Sequence, residues 1–133
     1  MSKSAAHVAA VISCWFMHRE NFTPKTIINV GVGKTSPELD VWMWLHPDVP
    51  RIGIDPRWSP RGNWTKRYKQ PQIVAAVGRV SGSATFCGDC RSLKCSDESH
   101  MLHRSTVQVK TLDEIAADFA AQFFVWMDID GSE

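Results

Sequence analysis

Several groups of residues have types and spacings that chemistry can use. Asn29-Val-Gly-Val-Gly33 ends the β-branched run Thr26-Ile-Ile, and Asp55 closes Arg51-Ile-Gly-Ile, 22 residues after Gly33. Glycines at a strand end let a ligand approach the backbone, and an acid at the end of the next strand accepts hydrogen bonds from ribose hydroxyls. The third glycine of the dinucleotide fingerprint is missing, which favours a smaller nucleoside such as S-adenosylmethionine over a pyrophosphate cofactor. A tight strand-to-helix turn with Asp55 capping a loop accounts for the same residues. Further on, Cys87-x2-Cys90-x4-Cys95-x4-His100, with His103 as an alternate ligand, offers three thiolates and an imidazole to a tetrahedral Zn²⁺. Free thiols in a surface loop are the competing reading. Between Arg57 and Lys69 there are five cations interleaved with Trp58, Trp64 and Tyr68. Single-stranded nucleic acid or a phosphorylated acceptor suits that pattern, and so does an ordinary solvated face.

Composition narrows these options. The 133 residues contain fifteen Lys and Arg against fourteen Asp and Glu, and 44% are hydrophobic, which describes one ordinary globular domain. A net charge of +1 argues against wholesale polyanion binding, so a nucleic-acid partner is disfavoured. Charge is nonetheless uneven. Residues 1–70 hold ten basic and five acidic side chains, whereas residues 71–133 hold five and nine. Cys14 stands alone and the other three cysteines cluster, which fits metal or thiol chemistry in a reducing, cytoplasmic setting better than a disulfide framework. Met1 to Met17 is too short an apolar stretch to span a membrane, and no small-residue cleavage site follows it.

The elements that would position these residues can be read from periodicity. Residues 1–24 form a leading helical segment, with Ala5 to Arg19 as an amphipathic or buried helix. Residues 25–133 read as one α/β domain. Thr26 to Val30 is a buried strand entering a glycine turn, and Pro37 to Leu45 is the helix behind it, with Ser36 as N-cap and Glu38 in the first turn. Arg51 to Asp55 is a second strand and completes a β-α-β unit. Ile73 to Val77 reads as a third strand, and Ser83 to Phe86 pairs with Thr106 to Val109 around the Cys-rich loop. Thr111 caps a helix over Leu112 to Ala121, with Glu114 completing a capping box. Phe123 to Met127 is a fourth apolar strand.

In that order these blocks resemble the FkbM-type S-adenosylmethionine-dependent methyltransferases. The resemblance rests on Thr26-Ile-Ile-Asn-Val-Gly-Val-Gly33, Gly53-Ile-Asp-Pro56, Ala75-Ala-Val-Gly78 with Gly82-Ser-Ala-Thr-Phe86, Val109-Lys-Thr-Leu-Asp-Glu-Ile115 and Met127-Asp-Ile-Asp-Gly-Ser-Glu133. It covers about residues 26–133. It implies a Rossmann-like class I methyltransferase sheet, usually O-methylating a hydroxyl of a sugar, lipid or natural product. Carried over, Asn29, Gly31 and Gly33 approach the amino-acid and ribose portions of the cofactor, Glu38 sits behind that loop, and Asp55 takes the ribose hydroxyls. Ala76 and Val77 flank the adenine. Asp128 is the candidate catalytic carboxylate beside the transferable methyl. With Asp130 and Glu133 it orients or deprotonates the acceptor, or holds a divalent cation that does so. Capping of a following helix is the structural alternative for these acids.

Two departures accompany the resemblance. Trp126 stands where the family commonly has a Lys, and a class I fold has further strands after its fourth. The chain is therefore expected to represent the cofactor half of such an enzyme, truncated after the fourth core strand. An uncovered sheet edge would then favour self-association. A non-catalytic nucleoside-binding or interaction module derived from this fold, and a zinc-stabilised nucleic-acid-binding domain, are the alternative functions.

Overall fold

The computed structural model describes residues 3–32, 37–56, 72–87 and 104–128. Its elements in chain order are α1 (Lys3–Arg19), β1 (Thr26–Val30), α2 (Pro37–Leu45), β2 (Arg51–Ile54), β3 (Gln72–Ile73), β4 (Ala76–Val77), β5 (Gly82–Cys87), β6 (Arg104–Lys110), α3 (Leu112–Ala116) and β7 (Phe123–Met127).

The central sheet has the order β3-β2-β1-β7, and every pair in it is parallel. The fold is thus α/β with a mostly parallel central sheet, compatible with the Rossmann-like expectation. Side chains alternate between the two faces, which sorts the core into two layers. Ile27 faces Ala10, Cys14 and Met17 of α1 and Leu39 and Trp42 of α2. Ile28, Val30, Ile52 and Ile54 face Ile115 of α3 on the other side. Helices on both faces explain why β1 and β2 are buried at every position, the polar Thr26, Asn29 and Arg51 included.

A second, smaller sheet has the order β4-β6-β5, with β4 parallel and β5 antiparallel to β6. It buries Ala76, Phe86, Val107 and Val109 on one face. Here the sequence reading needs correction: Ile73 to Val77 is not one strand. Gln72 and Ile73 pair with β2, whereas Ala76 and Val77 pair with β6. The cause is the shortness of β2. Its ladder ends where the Asp55 amide donates to the Ile73 carbonyl at 3.2 Å, and Pro56 has no N–H to continue it. The chain therefore bends at Val74 and Ala75 and joins the longer strand β6.

The second correction concerns α3, expected to run to Ala121 and found to end at Ala116. Its start agrees with the sequence, since the Thr111 hydroxyl accepts from the Glu114 amide at 3.1 Å. The box closes indirectly. Ser81 Oγ donates to the Glu114 carboxylate and accepts from the Thr111 amide, which ties the turn after β4 to α3. The early stop follows from register, because β7 has to begin with Phe123 beside Thr26. Phe119 N bonds Ala116 O at 3.0 Å, tightening the exit, and Gln122 adopts a positive φ of 74° that turns the chain into β7. The Gln122 carbonyl accepts from Lys25 N, and Thr26 Oγ1 donates to the Ala120 carbonyl.

Among the described residues, no helix is long and apolar enough to cross a membrane.

Candidate functional site

Strand order reverses between β1 and β7. From β1 the chain proceeds outward through β2 to β3, then returns to the far side of β1 as β7. Open α/β sheets bind ligands in the crevice at the carboxyl ends of the strands beside such a switch point. Three of the residues singled out by sequence meet there. Gly31 follows β1, Asp55 follows β2 and Asp128 follows β7. Their amides continue the ladders in series: Gly31 N bonds Ile54 O at 2.8 Å, Asp55 N bonds Ile73 O at 3.2 Å, and Asp128 N bonds Val30 O at 3.0 Å. Both acidic residues lie one strand from Gly31, so about 10 Å separates their backbones.

Gly31 has φ of 84°, a left-handed conformation that favours glycine. That torsion turns the chain out of β1. Val32 then turns inward and is buried with Leu39 and Trp42, anchoring the far side of the turn. Gly33 lies outside the described residues.

Asn29 and Glu38 form the floor. Both are buried, and Asn29 Nδ2 donates to Glu38 Oε1 at 2.9 Å. The bond joins the end of strand β1 to the first turn of α2, where the helix dipole also favours a carboxylate. The Asn29 side chain thus faces α2 and braces the glycine turn from below, and Glu38 sits behind that turn. Asp55 is buried as well.

Ala76, buried, and Val77, half-buried, lie in the second sheet just past the carboxyl end of β3, with Val77 against the α3-side core. Asp130 and Glu133 lie outside the described residues. Cys90, Cys95, His100 and His103 do too, and of Cys87 only its backbone in β5 is described. The zinc expectation therefore falls outside the structure described, as does the basic segment from Arg57 to Lys69. Among the described residues, no group of three His, Cys, Asp or Glu side chains is placed to hold a metal.

One feature beside the crevice escaped the sequence reading. In the row Trp126–Asn29–Gly53–Gln72, the Gln72 amide lies over Gly53, where an added Cβ would come within 2.6 Å of its Nε2. Both polar atoms of that amide are buried without a hydrogen-bond partner among the described residues. A glycine inside a strand is the available signal, because it often marks a close approach by another group.

A scan against protein-family models, a search of curated proteins and a search of solved structures each find no match to this chain.

Proposed function

We propose that the crevice at the carboxyl ends of β1, β2 and β7 binds S-adenosylmethionine, and that the chain is the cofactor-binding part of an FkbM-type methyltransferase acting on a hydroxyl acceptor. The observation that carries this reading is the convergence of Gly31, Asp55 and Asp128 at the switch point of a parallel sheet. A ribose diol needs an acceptor, which Asp55 provides, and a cationic cofactor suits a crevice flanked by two aspartates.

The residues fit the cofactor in type. Gly31 admits it to the backbone, Asn29 and Glu38 hold that turn rigid, Asp55 accepts from the ribose hydroxyls, and Ala76 and Val77 offer an apolar flank to the adenine. Bound there, S-adenosylmethionine supplies a methyl group on a sulfonium. Transfer from a sulfonium to an oxygen creates little new charge, so the main task of these residues is to hold the reacting groups in line. Asp128, with Asp130 and Glu133, orients the acceptor hydroxyl and receives its proton.

Isothermal titration tests the reading. S-adenosylmethionine and its demethylated product should both bind, and Asp55→Ala should weaken them by about 1.5–3 kcal/mol, the cost of losing hydrogen bonds to a charged group. Unchanged affinity in the variant removes Asp55 from the site, and binding of NAD in place of S-adenosylmethionine sinks the family assignment. Transfer of labelled methyl to a panel of hydroxyl acceptors separates an enzyme from a module that only binds a nucleoside.

A further inference from the structure

The two sheets of this fold share no ladder among the described residues. The chain passes from one to the other at Val74 and Ala75, between β3 and β4. The candidate crevice nevertheless uses both. Asp55 follows a strand of the central sheet, and Ala76 and Val77, the flank assigned to adenine, form β4 of the second. How far the ribose acceptor stands from the adenine flank is therefore set by whatever holds the sheets to each other.

Two kinds of contact do so, and both run through α3. The first is apolar. Val77 and Leu112 pack against the cluster in which Ile115 of α3 meets Ile28, Val30, Ile52 and Ile54 of the central sheet. Apolar contact is non-directional, so it holds the layers together without fixing how one is turned against the other. The second is polar and directional. Ser81, in the turn between β4 and β5, donates from Oγ to the Glu114 carboxylate, and the same atom accepts from the Thr111 amide at 3.3 Å. Its partners are held in place, because the Thr111 hydroxyl accepts from the Glu114 amide at 3.1 Å and fixes both residues at the start of α3. Before the turn, Gly78 N donates to the Lys110 carbonyl at 3.0 Å and prolongs the β4 ladder. That strand has only two residues, so its placement depends on these bonds.

We infer that Ser81 is a positioning residue of the nucleoside site: its hydroxyl locks the second sheet against α3 and so sets the span between Asp55 and the Ala76–Val77 flank. The inference rests on the S-adenosylmethionine reading. Ser81 acts through that span, without touching the ligand.

Isothermal titration of the full chain with S-adenosylhomocysteine, beside amide hydrogen exchange, tests it. Ser81→Ala should weaken binding about three- to tenfold, the size of a lost hydrogen bond. Exchange at Gly78 should quicken, while the Asp128 amide, bonded to the central sheet, exchanges as in the parent. Ser81→Thr keeps the hydroxyl and should restore both. Glu114→Ala should reproduce Ser81→Ala, and the two together should cost no more than either alone. Val80→Ala changes a neighbouring side chain that is 75% exposed and should bind as the parent does. Circular dichroism, with titration well below the unfolding temperature, separates lost position from lost fold. A parent that binds no S-adenosylhomocysteine overturns the cofactor reading and this inference with it. Where the parent binds, equal affinity in Ser81→Ala, failure of Ser81→Thr to restore it, or an equal loss in Val80→Ala overturns the inference alone.

Discussion

Arg51 shows how one buried side chain organises the entry to β2. It is 5% exposed, and its guanidinium Nη2 donates to the carbonyls of His46 at 2.6 Å and Pro47 at 3.1 Å. Those carbonyls follow the end of α2, where a cation complements the helix dipole and satisfies acceptors left over by the helix. Arg51→Met should therefore cost about 1.5–3 kcal/mol in urea denaturation, the range for hydrogen bonds to a charged group. His46 reports the same arrangement. Burial, and then repulsion from Arg51, hold its imidazole below the usual histidine range. Its Nε2 is buried without a partner among the described residues. A lowered folded value means that the unfolded chain binds the proton more tightly. Stability should then be full above the ordinary histidine value of about 6.5, fall as pH drops through it, and level off below the folded value. His46→Gln should flatten that part of the profile. In Arg51→Met the His46 titration followed by NMR should move upward, yet stay below the ordinary value because burial is the larger cause. A titration that stays put would show that the guanidinium does not act on His46.

Two glycines in strand or turn positions separate the tolerance of the two sheets. A Cβ at Gly53 would meet the far end of Gln72, a side chain that can swing aside. A Cβ at Gly78 would come within 2.6 Å of Val109 Cγ1, inside the core of the second sheet. Valine is stiff at χ1, so the clash has to be relieved by the backbone. Gly78→Ala should cost about 1–3 kcal/mol, as overpacked cores do. Combined with Val109→Ala, its cost should largely vanish, a coupling that a double-mutant cycle measures directly. Additive costs would show that Val109 is not the obstacle. At this scale the sequence was most informative where an element is fixed by its own residues. Thr26–Val30, Pro37–Leu45 and Phe123–Met127 have the bounds read from apolar runs and flanking Gly, Pro and capping residues. It failed where a distant partner sets the boundary. The run Ile73 to Val77 is uniformly apolar, and only the length of β2 and the presence of β6 divide it between two sheets. The short α3 likewise answers to the register of β7 against β1. Of the candidate site, Gly31, Asp55 and Asp128 were legible because strand ends can be read locally. The Asn29–Glu38 brace was legible only as nearness.

At the scale of the whole molecule, the expected self-association turns on β7. Among the described residues β7 pairs with β1 alone. On one face Phe124 and Trp126 are covered by Trp42, with ring centres 5.6 and 5.3 Å apart. On the other, Val125 and Met127 are each exposed by more than a third. An apolar edge strand with a free ladder is a template for pairing with another chain. The symmetric solution is antiparallel pairing of two β7 strands about Val125, which extends the sheet across a twofold axis. That geometry sets Asp128 of one copy opposite Gln122 of the other, so the two crevices open at opposite ends of the joined strands, about 20 Å apart at 3.4 Å per residue. Association should therefore leave nucleoside affinity unchanged. Light scattering after size exclusion should show a concentration-dependent dimer. Val125→Lys, which places a charge on the edge strand, should shift it to monomer without altering affinity for S-adenosylmethionine, while Ile12→Glu on the exposed side of α1 should leave the dimer intact. A monomer at every concentration, or a dimer indifferent to Val125→Lys, would place the contact elsewhere than β7.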